Sequence, residues 1–146
     1  MSRLIRTSIL IAASRARVWS VLMDFPSYPH WNPFIRSIKG KAEPGERLEV
    51  VIEPPGGKAQ TFRPVVLAAD PERRFKWRGS LPVPGLFAGE HEFELSDEAG
   101  GTRFDHGETF SGLLVPLTGA VLAATEQGFL AMNEKLKARA EAAARN

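Results

Sequence analysis

Between Phe34 and Phe110 the chain repeats one pattern: short apolar or alternating segments separated by brief turn sequences. Turns such as Pro55-Gly56-Gly57 and Ala99-Gly100-Gly101 join antiparallel neighbours, because a parallel crossover needs about a dozen residues or more. The alternation predicts strands near 35–40, 46–53, 60–69, 73–79, 88–96 and 102–110. An antiparallel sheet is therefore the dominant element.

Helical periodicity is confined to the two flanks of this region. A strand signal at 5–11 is followed by Ser14, a good N-cap, and then by apolar residues at helical spacing up to Phe25. Three prolines between Pro26 and Pro33 stop that helix and leave room for one further short turn of helix. Two short helices are therefore expected after the first strand.

The C-terminal segment carries the longest helical pattern. We predict a helix from near Pro116 to about Arg139, with an Ala-rich tail at 138–146 that frays. Its apolar stripe consists of Val121, Leu122, Thr125, Phe129, Met132 and Leu136. Such a helix is roughly 30 Å long or more, and a sheet must curve to cover it. A curved sheet and a straight helix do not interdigitate fully, so we expect a cavity between them.

The predicted fold class is α+β: a six- to seven-stranded curved antiparallel sheet wrapped around the C-terminal helix. The 146 residues suit one domain over 1–146, and 43% hydrophobic with 25% charged residues is typical of a globular chain. There is no cysteine, which excludes disulfides and a thiolate nucleophile. Acidic residues (17) nearly match basic ones (19), so we expect no nucleic-acid partner.

The chain has neither a run of about 20 apolar residues nor the apolar core of a signal peptide at its N-terminus. We therefore expect a cytoplasmic protein without stable membrane insertion.

Strand alternation also predicts which side chains face the helix. In the 88–96 strand the glutamates share one parity, so His91 and Phe93 should point inward. The same reasoning places Phe104, His106 and Glu108 on the inner face of the 102–110 strand. The neighbouring strand adds Phe75 and Trp77 to this inner face. Two histidines and a glutamate should thus meet on an aromatic surface.

Four interpretations of this group remain open. The polar side chains stabilise the fold by bonding to each other, or they anchor an apolar ligand. Alternatively they act as general acid and base, since burial moves the pKa of a glutamate toward neutrality. A metal site is the fourth, but no HExxH-like spacing supports it, and we expect no metal and no cofactor.

The segment from Ser80 to Phe87 is an apolar loop rather than a strand. It carries Leu81, Val83, Leu86 and Phe87 between Pro82, Pro84 and Gly85. Loops that run over a surface are usually polar, so these side chains should cover something. We predict that the loop closes one end of the cavity, either as a mobile gate or as a fixed plug.

Several segments together resemble the START-like (SRPBCC) superfamily with its helix-grip fold, in particular polyketide cyclase/dehydrase-like and lipid-transport-like proteins. The resemblance covers essentially the whole chain. The residues that carry it are 9–22, 24–34, 75–79, 91–95 and 101–106, with Glu108, Phe110 and Gly112.

The resemblance implies a hydrophobic cavity for a lipid, polyketide or aromatic molecule, and it transfers no catalytic residue to this chain. The predicted function is binding of a largely apolar small molecule, by a monomer or homodimer. The alternatives are a cyclase or dehydratase with a cavity His or Glu as acid–base, and a protein-interaction module with a filled cavity. The predicted ligand-binding residues are Phe75, Trp77, Phe87, His91, Phe93, Phe104, His106, Glu108, Phe129 and Met132.

Overall fold

A computed structural model describes residues 2–83 and 85–144, and the side chains as far as Ala142. The strands are β1 (Ser2–Ile11), β2 (Ile35–Lys39), β3 (Glu49–Ile52), β4 (Gln60–Phe62), β5 (Val65–Asp70), β6 (Arg74–Ser80), β7 (Ala88–Glu98) and β8 (Gly101–Ser111). The α-helices are α1 (Arg15–Met23), α2 (Tyr28–Trp31) and α3 (Gly119–Ala144), and 3₁₀ turns lie at Phe25–Ser27 and Val115–Leu117.

Every strand pair is antiparallel. Five strands form one sheet in the order β1-β8-β7-β6-β5, and three form a second in the order β2-β3-β4. Backbone bonds connect the two sheets, from Leu48 N–H to Pro64 O (2.9 Å) and from Val66 N–H to Glu46 O (2.8 Å). The predicted α+β helix-grip fold is therefore confirmed.

One predicted strand, 60–69, is two strands in the structure. The break falls at Arg63-Pro64, between β4 in the smaller sheet and β5 in the larger. Proline has no N–H to donate to a ladder, which disfavours a continuous strand here. The described residues therefore form eight strands in two sheets, where six or seven strands in one sheet were expected.

Helix α3 begins later and ends later than predicted. Pro116 belongs to the preceding 3₁₀ turn, and the helix continues beyond Arg139 to Ala144 because Ala140 is buried and fixes its last turns. Of the tail expected to fray, Arg145 and Asn146 lie outside the described residues.

The predicted stripe of α3 is buried except for Val121, which is 58% exposed. That residue is one position from Leu122, about 100° around the helix, and so lies outside the buried face. Among residues 2–83 and 85–144, no helix has both the length and the apolar character needed to cross a bilayer.

The core lies between the concave face of the five-stranded sheet and α3, which contacts β1 and β8. Gly128 lets the Phe34 ring lie against the helix backbone, since a Cβ at this position would overlap the ring. The same ring meets Phe129 edge-to-face with centroids 5.5 Å apart. The corner after α2 is thereby joined to the centre of α3.

We predict opposite effects for alanine at two glycines of α3. Gly128→Ala should lower the free energy of unfolding by about 1–3 kcal/mol, because the Phe34 ring has to move. Gly119→Ala faces open space and should leave stability unchanged or raise it by up to about 1 kcal/mol. Urea denaturation of both variants checks this, and equal effects would show that the Phe34 contact is unimportant.

Candidate functional site

The central strands bring the predicted polar side chains together on the concave face. His91 on β7 and His106 on β8 are 1% and 0% exposed, and the Glu108 side chain is 17% exposed. The register pairs His91 with Glu108 and His106 with Phe93, so the three polar groups occupy adjacent positions of one hairpin. The inward orientation predicted from strand alternation is confirmed.

These groups form part of one continuous polar chain. The Nε2 atoms of His91 and His106 are 2.8 Å apart, and His106 Nδ1 is 2.9 Å from Asn133 Oδ1 on α3. Asn133 Nδ2 donates to Thr7 Oγ1 (2.8 Å), and that hydroxyl donates to the His106 carbonyl oxygen (3.0 Å). At the other end, His91 Nδ1 is 3.5 Å from Glu108 Oε1. The chain, defined as Thr7, Asn133, His106, His91 and Glu108, connects β1, α3, β8 and β7.

Aromatic rings enclose the two imidazoles. Trp77 stacks on His91 with centroids 4.5 Å apart and planes 13° from parallel. Phe129 stacks on His106 at 3.9 Å and 13°. Phe93 presents an edge-on contact to both, at 5.2 Å from His91 and 4.9 Å from His106. Each imidazole is thus fixed by an aromatic ring stacked on its face and by the hydrogen bond to the other imidazole.

The remaining predicted site residues lie around this centre. Phe75 and Phe104 are fully buried and contact Phe93, and Met132 is fully buried on α3. Phe87 is only partly buried and stacks on Phe110 at 5.7 Å, near the end of the sheet where Glu108 lies.

Burial controls the charge of all three titratable groups. It lowers the pKa of His91 to about 3 and lowers that of His106 well below its usual value, in the latter case reinforced by the neighbouring His91. Burial also raises the pKa of the Glu108 carboxyl to about 8. At neutral pH the two imidazoles are neutral and the Glu108 carboxyl is mainly protonated.

Three residues of this site were not among the predicted site residues. Gly89 faces inward beside His91, and its missing Cβ leaves the space that the Glu108 carboxyl occupies. Thr7 lies on the inner face of β1, opposite His106. Asn133 is 2% exposed and lies four residues after Phe129, a polar residue within the helix's buried face. This place in the helical spacing is the signal by which the sequence could have identified Asn133.

Side chains pack closely at the centre of the space where a cavity was predicted, as the 3.9 Å stacking of His106 on Phe129 shows. Two pockets formed by the described residues both lie elsewhere than between the sheet and α3. One, of about 50 Å³, is on the convex face around Lys76 and Glu90. The other, of about 630 Å³, is an open groove beside Arg17, Trp31 and Arg139.

The apolar loop covers only part of the end of the sheet where Glu108 lies. Its ends are joined by a bond from Leu81 N–H to Phe87 O (3.0 Å), but Leu81 and Val83 are 43% and 58% exposed. The expectation that all its apolar side chains cover the interior is therefore wrong, because those two point to solvent and only Leu86 and Phe87 are partly buried. Pro84 of this loop lies outside the described residues.

The family model for polyketide cyclase / dehydrase and lipid transport matches residues 3–141. The chain belongs to this family. Membership supports a role in binding a hydrophobic ligand or in cyclase chemistry. A search of curated proteins found no match.

Solved structures with the same fold include two aromatase/cyclases and Ara h 8.0201. The ZhuI aromatase/cyclase from Streptomyces sp. R1128 matches with a TM-score of 0.77 and 17% identity, over 97% of this chain and 94% of that one. Ara h 8.0201 matches with 0.73 and 16%, over 97% and 99%. The di-domain aromatase/cyclase StfQ of the steffimycin biosynthetic pathway matches with 0.73 and 16%, over all of this chain and 53% of that one. At these identities the likeness shows the fold.

The raised pKa of Glu108 predicts a pH-dependent stability. Between about pH 7.5 and 8.5 the folded state keeps part of a proton on Glu108 that the unfolded chain has lost, so the free energy of unfolding should fall by about 0.7 kcal/mol per pH unit as pH rises. His91 and His106 act in the opposite sense as pH falls through about 6.5, because the unfolded chain then gains histidine protons that the folded state excludes.

Urea denaturation across this pH range measures the slope. Glu108→Gln should abolish it, whereas Glu98→Gln, at an exposed position of β7, should leave it unchanged. A slope that persists in Glu108→Gln would assign the extra proton to another group.

Proposed function

We propose that the protein binds a largely apolar small molecule between the concave face and α3, with its polar group at the Glu108 end. The observation that carries this proposal is the polar chain. It is buried at Thr7, Asn133, His106 and His91 and ends at a carboxyl group that keeps partial access to solvent. A ligand site of this type combines an apolar lining with a few placed polar groups.

A purely structural role explains less of this arrangement. Thr7, Asn133 and His106 satisfy one another, and that part of the chain needs no ligand. Glu108 lies outside that closed set, at a 3.5 Å separation from His91 that is long for a hydrogen bond. A mostly buried carboxyl group with no close hydrogen-bond partner among the described residues is suited to orient a guest.

Entry requires the loop at 81–87 to move, since the interior is occupied by rings. The loop is held to the segment after β8 by bonds from Leu113 N–H to Gly85 O (3.1 Å) and from Leu114 N–H to Leu86 O (3.0 Å). Phe87 covers Phe110 beneath it. Moving this loop exposes the Glu108 end and gives the guest access to Trp77, Phe93, Phe129 and Met132. A cytoplasmic location remains part of the proposal.

Nile red, a neutral apolar dye, tests binding and entry together. The wild-type protein should bind it with increased fluorescence. Phe87→Ala should change its association and release rates in stopped-flow measurements while lowering unfolding stability by less than about 1.5 kcal/mol. The matched control is Phe62→Ala, an exposed ring on β4 in the other sheet, which should change neither.

Absence of dye binding would contradict the proposal and favour an interaction module. Two observations favour an interaction module: the closely packed interior, and the exposed apolar side chains of Leu113 (79%), Leu117 (81%) and Val121 (58%). Unchanged dye kinetics in Phe87→Ala, with a stability loss of about 3–5 kcal/mol, would show a fixed plug rather than a gate.

A cyclase or dehydratase is the second candidate, favoured by a protonated carboxyl beside a neutral imidazole. This pair can give a proton to a leaving hydroxyl and take one from an adjacent carbon. Dehydration of a β-hydroxy ketone by the wild type, lost in Glu108→Gln with binding retained, would establish it. Equal turnover in the two proteins would exclude Glu108 as the acid.

A further inference from the structure

The order of protons along the polar chain follows from its hydrogen-bonding groups alone. Thr7 Oγ1 donates its single proton to the His106 carbonyl oxygen, which can only accept. Since its own proton is used, Thr7 Oγ1 must accept the hydrogen bond from Asn133, so the amide nitrogen of Asn133 faces Thr7. The amide oxygen then faces His106. The Asn133 orientation is fixed by this argument rather than by the similar shapes of the two amide ends.

The tautomers of both histidines follow in turn. His106 Nδ1 carries a proton because it meets the Asn133 amide oxygen, and in a neutral ring Nε2 is then unprotonated. His91 Nε2 must donate across the 2.8 Å contact between the rings. His91 Nδ1 is consequently an unprotonated nitrogen directed at Glu108.

From this geometry we infer that Glu108 is a carboxylic acid in the resting protein, and that it selects ligands with a neutral hydrogen-bond acceptor, such as a ketone or ester carbonyl, over carboxylates. A carboxylate at Glu108 would place two acceptors, Oε1 and His91 Nδ1, against each other without a proton between them. The 3.5 Å separation leaves the Glu108 proton free to turn to a ligand oxygen. This ligand class rests on the proposed binding function.

Among the residues that the structure describes, no charged group on the concave side opposes this state. β7 contributes His91 and β8 contributes His106, both neutral through burial. β1 places Ile5 opposite Glu108, and β6 places Trp77 beside His91. The residues that α3 buries against the sheet include none that titrates. The charged residues Arg6, Lys76, Glu90, Glu92 and Asp105 stand at strand positions of the opposite parity to His91 and Glu108, and therefore on the other face of the sheet.

The proton order is tested on the ligand-free protein. In ¹⁵N-histidine NMR at pH 7, His106 should show the Nδ1–H tautomer and His91 the Nε2–H tautomer, with the exposed His30 as reference. A protonated His91 Nδ1 would overturn the inference, because Glu108 would then face a donor and would have no need of its own proton.

The ligand class is tested with three naphthalenes of similar shape: 2-acetonaphthone, 2-ethylnaphthalene and 2-naphthoate. At pH 6.5 the ketone should bind about tenfold more tightly than the hydrocarbon, and the carboxylate at least about a hundredfold more weakly than the ketone. Above pH 8.5 the advantage of the ketone over the hydrocarbon should disappear as Glu108 ionises.

Two variants complete the test. Glu108→Gln keeps a donor that does not titrate, so the ketone advantage should persist at both pH values. Glu108→Leu should remove it at both while the hydrocarbon still binds. Equal binding of ketone and carboxylate at pH 6.5 would overturn the inferred ligand class. If none of the three probes binds, the proposed function fails with it, while the tautomers still decide the proton order.

Discussion

The contact between His91 and His106 is the interaction on which the rest of the interior depends. Two imidazoles with Nε2 atoms 2.8 Å apart hold together only when one donates and the other accepts. Neutrality of both rings satisfies this condition, and the surrounding Trp77, Phe93 and Phe129 produce it by excluding water. The apolar packing and the polar chain therefore stabilise each other.

The polar chain also joins elements that are far apart in sequence. Thr7 is on the first strand, His91 and His106 are on the β7–β8 hairpin, and Asn133 is on the last helix. Buried polar groups that satisfy one another in only one arrangement specify how these elements dock, in a way that apolar contacts alone do not. Glu108 lies outside the hydrogen-bonded set of Thr7, Asn133, His106 and His91, and this position distinguishes it from its structural neighbours. The proposed binding function follows from that asymmetry.

The sequence predicted the inner face of the sheet well, because alternation along β7 and β8 leaves one arrangement that keeps the glutamates at 90, 92 and 94 out of the core. It failed at 60–69, where apolar composition outweighed the single Pro64. The sequence also could not predict the close packing of the interior, since the space between a sheet and a helix depends on how rings such as Phe34 and Phe129 interlock. The proton order needs the direction of each hydrogen bond, which no spacing of residues contains.

Methyl NMR of the methionines most directly tests whether a guest enters the interior. Met132 is fully buried on α3 under the sheet, while Met23 ends α1 and is only partly buried, so the two methyl groups report on different regions. With ¹³C-methyl methionine and saturating 2-acetonaphthone, we predict a shift of the Met132 resonance and no change at Met23. A saturated complex in which Met132 keeps its free-state resonance would contradict binding between the sheet and α3.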